Sequence, residues 1–434
     1  MHGYNALERY FTGLNLMPFD KSSRPSRSYL KHAPLVLAAS ALVLVQASHA
    51  EAPSAGAALK PAAQIVLRTD EAAAGAKPAA QSAQKSPAAS DYVEREEVQK
   101  YLRSLAKEKK IPYEWLEREV ALARYSPLSE KYTTPKPKAD KKTTPEKNFL
   151  LYERNLVNTE RIVKGVDFIE RNADTLRRVE AETGVSGYAV TAIIGVESIY
   201  GRNMGRFRVL DALMTLSFDY TRRAKYYRSE LASFLDFCYR QQVPPVTVTG
   251  SFAGALGLGQ FMPASLNAYG RDGDGDGKID IVHNEADGIA SVANFLRVHG
   301  WARGERPLYP VEASEAIFKA TKSGGIKTHS TVGALLKAGV KPAGKLPLDE
   351  KEPAMLVNLP WIAKDNTRGV DYYIGTDSFA AILRYNRSYF YAAAVTLLSY
   401  ELEKRSEDML HRRAEASAPA DAEDAKKPAS DPAQ

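Results

Sequence analysis

Cysteine is almost missing: the 434 residues contain one, Cys238. No intramolecular disulfide can form even in an oxidising compartment, so stability must come from a packed core, helped at most by a metal. Cys238 lies among Phe234, Leu235 and Phe237 and is expected to be a buried small hydrophobe rather than a reactive thiol. A membrane-spanning run is lacking near the N-terminus, where the apolar stretch from Leu35 to Val45 is too short for a comfortable transmembrane helix. Lys21, Arg24, Arg27 and Lys31 precede that stretch and Ala47-Ser-His-Ala50 follows it. This is the layout of a secretory signal peptide over residues 1–50. No cysteine lies near the expected cut, which excludes a lipid anchor there, so the mature chain is expected to be exported, soluble and periplasmic. No internal repeat of solenoid length stands out, which removes the repeat architectures.

An acidic excess is also lacking. Lysine and arginine number 59 against 52 aspartates and glutamates, a formal net charge of +7. In a cytoplasmic protein this balance would raise nucleic-acid binding. Export makes an anionic cell-wall polymer or a membrane surface the more natural partner, and no nucleic acid is expected. Part of the excess is local: Lys131, Lys136, Lys138, Lys141, Lys142 and Lys147 cluster in a Thr/Pro-containing stretch that reads as a solvated loop.

What is present is mainly helical pattern. Residues 51–90, rich in Ala, Pro, Ser, Gln and Lys, read as a flexible spacer, and residues 406–434 as a similar tail. Between them, 91–306 carries amphipathic periodicity: Val98, Leu102 and Leu105 form one stripe, and a long region runs from Phe149 to Thr183. Gly184 is a helix stop. Periodicity returns between Val209 and Tyr239, and again from Asp287 to His299. Residues 307–375 change character, with short candidate strands at Ala354 to Leu359 and Val370 to Ile374 that suggest a small β-containing region. One strong helix from Ser378 to Leu402, within 376–405, closes the core. The expected class is mainly α, with a minor β part.

One charge interrupts an apolar helical run. Glu197 follows Ala189-Val-Thr-Ala-Ile-Ile-Gly-Val196 and lies above Ile193 and Ile194, so its carboxyl sits on the apolar side of its helix. Burial penalises the charged form, and the easier outcome is to keep the proton. A carboxylic acid protonated near neutral pH is what glycosidic-bond cleavage requires of its proton donor. The competing reading is a buried glutamate paired with an arginine or capping a helix.

Four further segments carry chemistry. In Gly250-Ser-Phe-Ala-Gly-Ala-Leu-Gly-Leu-Gly-Gln-Phe-Met-Pro263, the glycines allow close backbone approach to a ligand. Ser251 and Gln260 would supply hydrogen bonds there and Phe261 a face for sugar stacking. The same run could be only a tightly packed turn. Asp272, Asp274 and Asp276, with Gly277 at position 6 and Ile279 at position 8, match an EF-hand calcium loop, the Lys278 carbonyl serving position 7. Position 12 is His283 rather than glutamate, so closure must come from Glu285 or Asp287, of which Asp287 is preferred because it begins the next helix. Such a calcium would be structural. Arg222 and Arg223, next to Tyr226 and Tyr227, suit carboxylate-bearing ligands or form a plain solvated face. Tyr385, Asn386 and Tyr391 could line a sugar groove or simply pack.

Taken in order, these segments resemble the membrane-bound lytic transglycosylase B family, glycoside hydrolase family 103. The resemblance covers about Asp91 to Leu402. It is carried by Ile194-Gly-Val-Glu197 with Tyr200-Gly-Arg202, Leu210 to Phe218, Arg222-Arg-Ala224, the Gly250 to Pro263 segment, the acidic loop, Ser291 to Phe295 with His299-Gly-Trp301, and Arg384-Tyr-Asn386. It implies a lysozyme-like core and cleavage of peptidoglycan between N-acetylmuramic acid and N-acetylglucosamine without water as nucleophile. It places Glu197 on the acid/base, Ser251 and Gln260 at the muramoyl N-acetyl group, and Tyr152, Tyr385, Asn386 and Tyr391 in the cleft. It also implies that Arg222 and Arg223 meet the stem peptide. The chain departs from the family in a calcium loop one residue longer before Asp287 and in lacking the lipid-attachment cysteine. Glycan strands and stem peptides are the expected partners, with cell-wall machinery a candidate. Two rivals remain: a lysozyme-type hydrolase in which Asp211 or Asp219 aids water, and a non-catalytic peptidoglycan-binding scaffold.

Overall fold

A computed structural model describes residues 91–135 and 146–417. The expected signal peptide, spacer, most of the lysine cluster and the end of the tail lie outside these residues. The described N-terminal part opens with α1 (Glu96–Lys109), α2 (Tyr113–Val120) and α3 (Pro127–Thr133). The amphipathic region from Phe149 to Thr183 is three helices: α4 (Phe149–Leu156), α5 (Thr159–Arg171) and α6 (Ala173–Thr183). Asparagines make the breaks. Asn158 Oδ1 accepts the Arg161 N–H at 3.0 Å and so starts α5, and Asn172 sits between α5 and α6. Gly184 ends α6 in the left-handed region at φ 75°.

Helix α7 (Gly187–Ser198) follows, and every residue from Ala189 to Val196 is buried. A helix apolar on all sides must be central. Burial of Ile193 and Ile194 contributes roughly 1.5–3 kcal/mol each, and α5 and α6 pack around them. Next come β1 (Phe207–Arg208), α8 (Val209–Phe218), α9 (Ala224–Gln241), β2 (Thr249–Gly250), α10 (Pro263–Tyr269) and α11 (Glu285–Val298). Val209 to Tyr239 is thus two helices, separated at 219–223, where Arg223 takes φ 65°. Cys238 is fully buried, as its neighbours indicated.

Residues 308–375 hold β3 (Leu308–Glu312), α12 (Glu315–Ala320), β4 (Ser330–Thr331), α13 (Val332–Lys337), β5 (Lys341–Pro342), β6 (Pro353–Ile362) and β7 (Arg368–Gly375). The sheet order is β4-β6-β7-β3-β5, with antiparallel pairing throughout. Alternation along β6 decides what the sheet covers. Ala354 and Leu356 face a small core with Val332, Leu335 and Ile374, while Met355, Val357 and Leu359 join the main helical core. A strand buried on both faces reads as a continuous apolar run.

The closing helix divides. After α14 (Asp377–Tyr385), Asn386 is extended at φ −142° and α15 runs Tyr389–Ser417. The polar triplet at 386–388 makes the break, with Ser388 Oγ accepting the Tyr391 N–H at 3.3 Å. The tail boundary at 406 is also corrected, because α15 continues to Ser417. Ser406 is buried and Arg413 pairs with Glu170 of α5 at 2.6 Å. Among the described residues no helix is long and apolar enough to cross a membrane.

Candidate active site

Glu197 occupies the last turn of α7, half-buried at the edge of the main core. Its Oε1 accepts a hydrogen bond from the Tyr391 hydroxyl at 2.6 Å. Burial raises its pKa to about 7, against the opposing pull of the Tyr391 hydroxyl, which favours the charged form. Among the described residues no arginine pairs with it, which disfavours the ion-pair alternative. Its charge is felt by three tyrosines, Tyr391 and Tyr385 from the closing helices and Tyr152 from α4. Their hydroxyls are pushed far above neutrality, chiefly by burial. The result is a half-buried carboxyl with tyrosines from three elements around it.

The glycine-rich loop lies beside this acid. Tyr385 donates its hydroxyl to the Gly259 carbonyl at 2.5 Å, adjacent to Gln260. A Cβ on Gly259 would meet that hydroxyl oxygen at 2.7 Å, and one on Gly257 (φ 66°) would meet the Ile281 carbonyl oxygen at 2.3 Å, so neither position accepts a side chain. Gln260 is itself left-handed at φ 49°, held by Nε2 donating to Gly257 O at 2.9 Å and Met204 O at 3.1 Å. Both amide hydrogens are used, which leaves Oε1 to accept from a ligand. Ser251 Oγ accepts the Ala255 N–H at 2.9 Å and the Ala253 N–H at 3.3 Å, which leaves its own hydrogen to donate.

Phe261 corrects the sequence reading. Its ring is 3% exposed and packs at 5.5 Å from Tyr385 and 6.1 Å from Phe295. Packing on the adjacent core leaves it no open face for a sugar, and it supports Tyr385 instead. Asn386 is half-buried at the break between α14 and α15. Arg222 and Arg223 are exposed just before α9, and they differ: the Arg223 guanidinium lies 4.3 Å from the Tyr226 ring centre, whereas Arg222 makes no ion pair or hydrogen bond among the described residues. Sequence reasoning passed over Phe390, whose ring is edge-on to Tyr152 at 5.7 Å and to Phe149 at 5.3 Å. Its only signal was one more aromatic beside Tyr389 and Tyr391.

The acidic loop assembles in part as expected. Asp272, Asp274 and Asp276 each bring a carboxylate oxygen within 4.8 Å of the others. Asp272 accepts the N–H groups of Gly275 at 2.6 Å and Gly277 at 2.8 Å, and the Lys278 N–H goes to Asp276. Such a set of hard oxygens fits calcium. Asp287 does not join this group. It is fully buried beneath the loop, its two oxygens accepting the N–H groups of Gly273 and Asp280, both at 2.6 Å. It thereby ties together backbone near the two ends of the loop. Glu285 is committed to Arg171 at 2.8 Å. Asn284, missed from the sequence, donates to Asp274 at 2.7 Å while its oxygen caps α11.

A protonatable acid under a tyrosine, beside a glycine-rich loop in a helical frame, defines a lysozyme-like, sugar-cleaving class of enzyme. The transglycosylase SLT domain family matches residues 93–400. Membrane-bound lytic murein transglycosylase B of Escherichia coli is 38% identical over 251 residues, 58% of this chain and 66% of that protein. The structure of catenated lytic transglycosylase SltB1 from Pseudomonas aeruginosa is 33% identical with a TM-score of 0.65, over 73% of this chain and all of that one. Escherichia coli Slt35, solved in complex with calcium, is 31% identical at TM-score 0.60, over 71% and 93%. Pseudomonas aeruginosa SltB3, solved with NAG-anhNAM-pentapeptide, is 29% identical at TM-score 0.61, over 71% and 79%. This chain belongs to the membrane-bound lytic murein transglycosylase B family.

Proposed function

We propose that the chain is a peptidoglycan lytic transglycosylase that breaks the β-1,4 bond between N-acetylmuramic acid and N-acetylglucosamine with Glu197 as its single acid/base. The observation that carries this is the state of Glu197: burial holds its pKa near 7, and among the described residues no second carboxylate acts on it. Protonated Glu197 donates to the departing glycosidic oxygen as positive charge grows at the muramic C1. The carboxylate so formed takes the proton of the muramic 6-hydroxyl while that oxygen bonds C1, closing a 1,6-anhydro ring. Protons balance and no water enters. A pKa near the working pH suits a group that must first give and then accept a proton.

A two-carboxylate hydrolase uses its second acid to activate water or form a covalent intermediate. Asp219 is engaged by Arg95 at 2.6 Å and by Tyr92, and Asp211 accepts the Arg124 N–H at 2.9 Å. Neither acts on Glu197, which favours the transglycosylase. In this reading Ser251 donates to, and Gln260 accepts from, the muramoyl N-acetyl group, while Tyr152 and Asn386 line the cleft. Tyr391, 2% exposed, and Tyr385, 7% exposed, have their hydroxyls committed to Glu197 and Gly259, so they back the cleft rather than face the sugar as the sequence reading expected. Arg222, and Arg223 where it projects beyond Tyr226, meet stem-peptide carboxylates; the pentapeptide bound to SltB3 is a precedent in a relative. Calcium held by Asp272, Asp274, Asp276 and the Lys278 carbonyl would brace the loop, as the Slt35 complex suggests by analogy. The compartment proposed is the periplasm. Digestion of purified sacculi followed by mass spectrometry tests the reading: products one water lighter than hydrolysed muropeptides are expected, with turnover reduced about 10²–10⁴-fold in Glu197→Gln. Hydrated reducing ends from the wild type would overturn it.

A further inference from the structure

The turn after Glu197 is strained. Ile199 and Tyr200 both occupy the left-handed region, at φ 51° and 55°, and Gly201 follows at φ 86°. A β-branched or bulky residue rarely rests there, so the surroundings must hold it. Helix α7 ends at Ser198, so this turn begins two residues from the carboxyl.

Two side chains grip it. The Tyr200 hydroxyl donates to the Arg161 carbonyl at 2.8 Å, and its ring fills a slot between α5 and α7. A Cβ at Gly165 or Gly195 would lie 2.4 Å from the Tyr200 hydroxyl oxygen, so both glycines are needed for the slot. Arg161 in turn is 2% exposed, with Nε donating to the Gly195 carbonyl at 3.1 Å and Nη1 to the Asn155 carbonyl at 2.9 Å. Its Nη2 is buried without a partner, and among the described residues no carboxylate forms an ion pair with it. A buried guanidinium without such a partner is unfavourable. Its favourable contact is with the C-terminal end of α7, where cations complement exposed carbonyls.

We infer that Arg161 and Tyr200 are positioning residues for Glu197, clamping the strained end of α7 so that the carboxyl stays against Tyr391 and away from water. The inference rests on Glu197 being the acid/base. Among the described residues the titratable groups coupled to that carboxyl are tyrosines, Tyr152 from α4, Tyr385 from α14 and Tyr391 from α15, and burial pushes each far above neutrality.

The test uses the full chain and Tyr200→Phe, which removes one hydroxyl. On soluble glycan strands kcat should fall about tenfold with KM within about twofold. The alkaline limb of kcat should move to lower pH, because a loosened carboxyl gains water and loses its proton more easily. Arg161→Lys, which keeps the charge but loses the fork, should act in the same direction, and it decides the matter if Tyr200→Phe does not fold. Lower thermal stability with unchanged kcat and an unmoved limb would overturn the inference, since a purely structural role predicts that pattern. Failure of the wild type to release 1,6-anhydro ends would instead count against the proposed function.

Discussion

At Glu197 desolvation and hydrogen bonding pull in opposite directions, and desolvation wins by enough to set the pKa near 7. The folded-state value lies above the unfolded one, so the folded protein binds the proton more tightly. That contribution to stability is fully present below about pH 4.5 and is lost as pH rises through about 7. Glu197→Gln escapes the loss. Its melting temperature should match the wild type near pH 4 and exceed it near pH 8, by the equivalent of at most about 3 kcal/mol, discounted for the opening to the cleft. Calorimetry at the two pH values checks this. Tyr391 favours the charged form, so Tyr391→Phe should raise the Glu197 pKa, move the alkaline limb of the pH–rate profile upward and lower kcat about tenfold or more. A limb that stays in place would show that the 2.6 Å hydrogen bond does not tune the acid. Glu197 was legible because a charge inside an apolar helical run is a local contradiction. Its partnership with Tyr391 was not, since 194 residues separate them and periodicity carries no information about such a pair. Phe261 shows the converse, because an aromatic beside glycines looks like a sugar platform until its neighbours cover it.

Among the elements, the acidic loop was the most readable, for its alternating carboxylates and glycine are a local geometric code. Its closure was not readable, because position 12 is His283 and the fold decides whether Asp287 turns toward an ion or ties the backbone. Calcium bound only by the folded loop adds stability by mass action, about 2.7 kcal/mol at one hundred times Kd. A chelator should therefore lower the melting temperature by several degrees, and Asp272→Asn should abolish that response while turnover per folded molecule stays near normal. A chelator-insensitive wild type would remove calcium from the account. Breaks inside long amphipathic regions went unread for a common reason. Apolar periodicity persists across Asn158, Asn172 and the polar triplet at 386–388, whereas each break is made by only one to three polar residues.

For the whole molecule, the far end of α15 reaches beyond the core-like part of its sequence and fastens onto α5. A chain ending at residue 405 loses the buried Ser406 and the Arg413–Glu170 pair, whereas one ending at 417 keeps both. The shorter chain should melt a few degrees lower, and equal melting would place the functional boundary back near 405. The sequence by itself determined the mainly helical class, the small β region, the glutamate inside the apolar run of α7 and the acidic loop, since each is written in local spacing and composition. Tertiary structure alone decided that one face of the sheet joins the helical core, that three tyrosines from α4, α14 and α15 enclose Glu197, and that Arg161 and Tyr200 hold the end of its helix. Those facts depend on contacts between segments far apart in the chain. Burial and desolvation arise only once such segments meet.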